Sequence, residues 1–404
     1  TSVVGNVSVA DEADVVFADV DADGDQDLVL VYADYQSIAG EEAGKPAVFL
    51  NQGGTFAKSP TAMSGIPSVC AGTVEAWDYN YDGQTDLFVG SRVLPGQFPL
   101  AGSSLILTNN GKGSFTLAQP AHQFQAGMVT DAVAADMDGD KKLELILSRE
   151  FGTVAVLNSP DKLPQAEAFT DITPTGCWQT VQAADVNNDG KMDILAGNLG
   201  TNNQLQAVSD EGLILYSGAF FGIAKAIPVL AVHEKGQWFP FPARDELLAQ
   251  MPVLKKKYGE YALYSKATME EIFGIELDRA TKLTAQTLET GIWLQTTNGF
   301  ILDDLPVEAQ FAPVYAIAVA DINGDDVPDL LLGGNNVKTR VRIGDMSSSY
   351  VTMLLGLEGG SFRYSGEAGV KGEVRSFTVI QSGKQPAIFA GIQNKNAKII
   401  KWKQ

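Results

Sequence analysis

Five times along the chain an apolar run gives way to Asp-x-Asp/Asn-x-Asp, then three residues, then Asp or Glu, and then a second apolar run. The copies open at Asp19, Asp78, Asp136, Asp185 and Asp321. A unit this short cannot bury an apolar face alone, so repetition implies stacked, similar modules closing one common core. The run before each copy is short and partly alternating, and the run after it is rich in β-formers, so each acidic loop joins two strands. Three copies are followed by a further strand ending in a tight turn, VFLNQGGTF from 48, LILTNNGKGSF from 105 and VAVLNSP from 154. Asn-Gly and Gly-Gly pairs there are hairpin chemistry. Four short strands per unit, repeated, predict an all-β fold, a β-propeller.

The blade count depends on the long gap between Asp193 and Asp321. One repeat fits there, with a remainder whose residues 243–291 read helical: Asp245 precedes a Leu-rich turn, Pro252 opens a new segment, and Thr268 with Glu271 forms a capping box. The expectation is a single propeller over residues 1–404 with seven blades, carrying a helical insertion at 243–291 on one of them. Residues 374–403 supply three strands of the last blade, and residues 3–10 a fourth that closes the ring.

Counted from its first Asp, each loop offers side-chain oxygen at positions 1, 3, 5 and 9 and a backbone carbonyl at position 7. The sets are Asp19, Asp21, Asp23, Asp27 with Asp25; Asp78, Asn80, Asp82, Asp86 with Gln84; Asp136, Asp138, Asp140, Glu144 with Lys142; Asp185, Asn187, Asp189, Asp193 with Lys191; and Asp321, Asn323, Asp325, Asp329 with Val327. Hard oxygens alternating along a sharp turn suit Ca²⁺, about five ions in all, better than Mg²⁺ with its small octahedral shell and retained waters. These are not EF-hands, because position 12 is Leu30, Val89, Leu147, Ala196 or Leu332 rather than Glu. Seventeen of the twenty side chains are carboxylates, so nearly all of the formal net charge of −20 belongs to the loops. The third loop has Lys141 at position 6, where a left-handed backbone favours Gly, and the fifth has Asp326.

That charge opposes nucleic acid and anionic membrane as partners. Two histidines and two cysteines, Cys70 and Cys177, are too few for a zinc site or a disulfide framework, and the cysteines read as separate thiols. No apolar run is long enough to cross a bilayer. Nothing at the N-terminus has the order of a signal peptide, and the chain starts at Thr1, so an export signal is expected upstream.

The loops resemble FG-GAP/VCBS repeats, as in integrin-α-type propellers. LFVGSRVLPGQFPL from 87, GMVTDAVAAD from 127, GNLGTNN from 197, FPARDELLAQMPVLKKKYGEYALYS from 241 and LPVEAQFAPVYAIAVADINGD from 305 are further similar to bacterial UnbV-type proteins related to cartilage acidic protein. This resemblance implies a calcium-loaded, seven-bladed extracellular propeller, often part of a longer lipoprotein and, in Bacteroidota, found beside outer-membrane nutrient-uptake machinery. It brings no settled catalytic activity. The sequence departs from it at Cys177, where an aromatic residue is usual, and at Ala219, Phe221, Ile223 and Ile227, which replace the oxygens of a further calcium loop.

Two functions suit such a chain. A metal enclosed by protein oxygens has a structural role, because Lewis-acid catalysis needs an open coordination position. The favoured reading is therefore a binding or scaffold module and not an enzyme. It would sit at the cell surface, peripheral to the membrane, with an envelope protein such as an outer-membrane transporter complex, or a glycan, as partner. The other is a carbohydrate-active enzyme, a polysaccharide lyase or hydrolase, which needs convergent carboxylates or a Tyr/Arg/Lys constellation at the propeller centre. Its weak candidates are Asp303 and Asp304 in a turn, Arg244, Asp245 and Glu246 at a helix start, and Arg340 and Arg342 alternating on a strand-like run. Trp238, Phe239 and Phe241 offer a sugar-stacking platform or an anchor for the insertion. The insertion is also a docking candidate through Tyr258, Tyr261 and Tyr264 beside Lys255, Lys256 and Lys257.

Overall fold

The computed structural model describes residues 11–33, 35, 44–118, 123–158, 163, 168–207, 211–340, 342–382 and 385–401. The closing strand expected at residues 3–10 lies outside them, as does His122. Six antiparallel sheets follow one another with their first strands side by side: Glu12–Ala18, Ala71–Trp77, Met128–Ala135, Thr180–Ala184, Val314–Ala320 and Val374–Ser382. All six first strands line one central cavity. The fold is an all-β propeller.

The reason lies in the second strands. Asp27–Tyr32, Asp86–Ser91, Asp193–Gly197 and Asp329–Gly334 are buried along their whole length. Both faces of such a strand must be covered, and a blade between two neighbouring blades covers both. The core is accordingly divided among the interfaces: Val29 and Val31 meet Val74 and Leu87, Phe88 and Ile106 meet Val129 and Leu145, and Ile146 meets Val181, Ile194 and Trp293. Leu195 and Ile292 meet Val314 and Leu330, and Leu331 meets Val374 and Ile388. Gly72 and Gly334 sit where a Cβ would strike the carbonyl oxygens of Val129 and Pro313, so only Gly permits that approach.

Seven sheets are present among the described residues, but they are not seven equivalent blades. The fourth blade runs Thr180–Ala184, Asp193–Gly197, Gly291–Thr296, Gly299–Asp303, and the seventh sheet is inserted between its second and third strands. That sheet has the order Gln237–Pro240, Ile227–Glu234, Leu213–Gly218, Thr281–Ala285, and its last strand touches the third blade rather than the ring of first strands. Among the described residues six sheets therefore have neighbouring first strands, and the seventh is inserted within one of them.

The insertion also differs from the helical segment expected at 243–291. Helical turns occupy Arg244–Gln250, Pro252–Lys256, Tyr261–Tyr264, Met269–Phe273 and Gly274–Glu276, after which Thr281–Ala285 is strand. Thr268 caps Met269–Phe273 by accepting from the Glu271 N–H at 3.2 Å, while the Glu271 carboxylate accepts from the Thr268 N–H at 2.9 Å. The insertion has its own core, in which Leu247, Met251, Ile272 and Phe273 pack on Ile214 and Val229. Tyr258 and Tyr264 belong to that core, so of the three tyrosines read as a docking surface only Tyr261 is exposed.

Candidate metal centres

Each acidic loop leaves the end of a first strand and enters a second strand of the same blade, so all five lie at one end of the strands, opposite the cavity. Their shape is set by two left-handed residues, at positions 4 and 6: Ala22 and Gly24, Tyr81 and Gly83, Gly139 and Lys141, Asn188 and Gly190, Gly324 and Asp326. Every loop has one Gly in that pair. Sequence reading noticed position 6 alone, because the position 4 residues share no chemistry.

This winding turns the side-chain oxygens inward. Asp78 accepts the N–H groups of Asp82 at 3.1 Å and Gly83 at 2.9 Å, and Asp185 those of Asp189 at 3.0 Å and Gly190 at 2.8 Å. Asp321 accepts from Gly324, Asp325 and Asp326, and Asp136 from Gly139 and Lys141. The position 9 carboxylate ties the loop to the blade. Asp27, Asp86, Asp193 and Asp329 are fully buried, and each accepts the position 2 N–H of its own loop through one oxygen. Through the other each accepts from the third strand, at Asn51, Asn109, Gln295 and Gly356. Glu144 makes only the first kind of bond among the described residues, to Met137 at 2.8 Å.

In the first loop the acidic oxygens of Asp19, Asp21 and Asp27 lie within 4.8 Å of one another, and in the third those of Asp136, Asp138 and Glu144 do. The second, fourth and fifth loops replace one of these carboxylates with the amides of Asn80, Asn187 and Asn323. The Oδ1 atoms of Asp19, Asp21 and Asp25 are buried and have no hydrogen-bond partner. A buried carboxylate oxygen without a donor is costly, and a cation beside Asp19 and Asp21 would relieve that cost. The Asp25 side chain, expected to contribute nothing beyond its carbonyl, also has a buried oxygen without a donor. Burial, then the charges of Asp27 and Asp23, raises the Asp21 carboxyl above its ordinary range, and burial followed by Asp23 raises Asp25. The donor set therefore fits a hard cation.

Residues 19–89 match the family model of the FG-GAP-like repeat. A search of curated proteins returned no match. Among solved structures, one described as BBS1N in complex with ARL6DN, soaked with lead, aligns over 98% of this chain and 94% of that chain, at 10% identity and a TM-score of 0.37. That likeness is too loose to carry an argument.

Other candidates fall elsewhere. Ala219, Phe221, Ile223 and Ile227 lie between the strands Leu213–Gly218 and Ile227–Glu234 or at the start of the second; Ile223 and Ile227 line the cavity, and Phe221 packs on the insertion core. Arg340 and Arg342 are in a loop, not on a strand. Trp238 packs on the insertion core and Phe241 lies under the Arg342 guanidinium, 4.5 Å from the ring centre, so both anchor the insertion. Cys70 and Cys177 are buried in separate apolar clusters and form no disulfide with each other.

One set of carboxylates was missed altogether. Asp14 accepts from the Thr73 hydroxyl at 2.8 Å and the Val74 N–H at 3.0 Å on the next blade, and Asp131 from Thr180 at 2.7 Å and Val181 at 3.0 Å. Glu75 of the second blade accepts from the Ala134 N–H of the third at 3.0 Å. Burial, reinforced by the Asp14 charge, pushes Asp131 up to about 7, and burial pushes Glu75 up to about 8. The signal was available: five residues ahead of successive acidic loops stand Asp14, Thr73, Asp131 and Thr180, an alternation of acceptor and donor.

Proposed function

We propose that this chain is a calcium-stabilised binding and scaffold module of the cell exterior or envelope, an accessory protein that presents a rigid propeller to an outer-membrane uptake complex. The observation that carries the metal is the trio of buried, partnerless oxygens on Asp19, Asp21 and Asp25. Asp19, Asp21, Asp23 and Asp27 with the Asp25 carbonyl would hold one ion, and the four corresponding sets the others. Bound calcium supplies charge neutralisation and cross-linking of the loop ends. Enclosure by protein oxygens favours support over catalysis.

An affinity of the kind usual for extracellular calcium modules would suit the exterior. External calcium near 1 mM against a dissociation constant of about 10⁻⁴ M contributes roughly 1.4 kcal/mol per site, on the order of 7 kcal/mol for five sites. Cytosolic calcium would leave such sites empty.

The test combines melting with capture. EGTA should lower the melting temperature by many degrees, native mass spectrometry in calcium should count about five ions, and the calcium-loaded chain should retain a transporter-like complex from a native cell envelope. A melting temperature indifferent to EGTA sinks the metal and the compartment together. Turnover of a polysaccharide by the isolated chain would replace the scaffold with the enzyme.

A further inference from the structure

At the end of the strands away from the acidic loops, the six first strands open into a cavity of 1350 Å³. The inserted hairpin borders it through Ile223, Lys225 and Ala226, and Gln250 of helix Arg244–Gln250 reaches it as well. A space this large exceeds the roughly 300 to 1,000 Å³ of common small-molecule sites. It suits a short oligomer.

Four cations reach this cavity from four separate parts of the fold: Arg92 after the second strand of blade 2, Arg375 on the first strand of blade 6, Arg340 in a loop of blade 5, and Lys225 on the insertion. Two are already fixed. Arg92 donates to Glu150 at 2.7 Å, and Arg375 pairs with Glu373 at 3.2 Å while its guanidinium stacks 4.1 Å from the Tyr315 ring centre. Arg340 and Lys225 are exposed, and neither side chain has a hydrogen bond or ion pair among the described residues. The cavity's Asp14 and Asp131 are engaged by donors of the neighbouring blades, which leaves Glu12 as its remaining carboxylate.

The rest of the lining is neither a phosphate cradle nor a greasy slot. Gln182 and Gln393 bring amides with no side-chain partner among the described residues, and an amide matches a hydroxyl as both donor and acceptor. Phe98, Phe377 and Tyr35 add ring faces. Two unpaired cations, amides and aromatic faces describe a ligand with few negative charges, many hydroxyls and apolar C–H faces. We propose that this cavity binds a short oligosaccharide bearing carboxylates, a uronate chain, with Arg340 and Lys225 meeting its acid groups. This deepens the binding-module reading and rests on it.

The probe is calorimetric titration of the calcium-loaded full chain with hyaluronan and galacturonan tetrasaccharides, with uncharged chitotetraose and an alternating Glu-Gly peptide alongside. At least one uronate should bind, with chitotetraose and the peptide weaker by about tenfold or more. Arg340→Ala and Lys225→Ala should each weaken the uronate by about tenfold without moving the calcium-dependent melting temperature. Silence from both uronates, equal affinity for chitotetraose or the peptide, or undiminished binding in both variants overturns the proposal. Because melting is read separately, a chain that responds to calcium and ignores uronates fails this proposal alone, whereas one indifferent to calcium fails the module reading.

Discussion

Among single residues Lys141 carries the clearest conflict between sequence and backbone. Its φ is 71°, a conformation that disfavours a side chain, and the Gly at position 139 relieves only the other left-handed residue of that loop. The same loop lacks the second anchor, since Glu144 bonds Met137 but no third-strand N–H among the described residues. Each of the other loops also holds one left-handed residue that is not Gly, namely Ala22, Tyr81, Asn188 or Asp326, so the third differs in having it at position 6 as a lysine and in lacking the second anchor. Lys141→Gly should stabilise the protein by about 1 kcal/mol and tighten calcium at this loop. Thermal melting at fixed calcium, with calcium release followed by native mass spectrometry, checks it: the third site should empty first in the parent chain and no longer first in the variant. A variant that melts lower would mean that the Lys141 side chain, not its backbone, matters there.

For the elements, what could be read from sequence divides by whether side-chain chemistry or long-range pairing decides the outcome. The acidic loops were legible because a hard cation needs oxygens at fixed positions, and those oxygens are visible as Asp and Asn. The capping box at Thr268 was legible for the same reason. The inserted sheet was not, because Thr281–Ala285 is a short strand whose partner, Leu213–Gly218, lies far back in the chain. Its intervening helices then made the whole stretch look helical. Seven sheets stand among the described residues, but which of them lie side by side depends on which first strands touch, and no local pattern shows that. The topology supplies its own test: Leu213 pairs with Ala285, so the chain leaves and re-enters the insertion across one strand pair. Replacing residues 214–284 with an Asn-Gly turn should leave a propeller that still melts higher with calcium. It should also lose the uronate binding that needs Lys225. Aggregation in calcium would show that the insertion core is part of the ring's support.

Across the whole molecule two different kinds of carboxylate serve the blades. The loop carboxylates accept N–H groups of their own loops and blades, whereas Asp14, Glu75 and Asp131 stitch blades 1 to 2, 2 to 3 and 3 to 4 by accepting donors of the next blade. Their burial has a cost that depends on pH. Glu75 ordinarily titrates near 4.5 and is pushed up to about 8 in the fold, and Asp131 moves from 3.8 to about 7. The folded state therefore holds these protons more tightly than the unfolded chain, so the stabilisation is complete in acid and is lost as pH rises through the folded values. Each group contributes a slope of about 1.4 kcal/mol per pH unit while it is protonated in the fold and ionised in the unfolded chain, so the slope is steepest from about pH 5 to 6.5, where both groups count, and vanishes above about 8.5. Calcium must be saturating, because protonation of the metal loops acts in the opposite direction at lower pH. The melting temperature should fall from about pH 5.5 to about 8 and level off above it; Glu75→Gln should remove the fall between about 7 and 8 and part of that below, while Asp131→Asn should roughly halve the slope below about 7. A melting temperature that is level or rises with pH would mean that both carboxylates are already ionised at neutrality and that the three seams are charged.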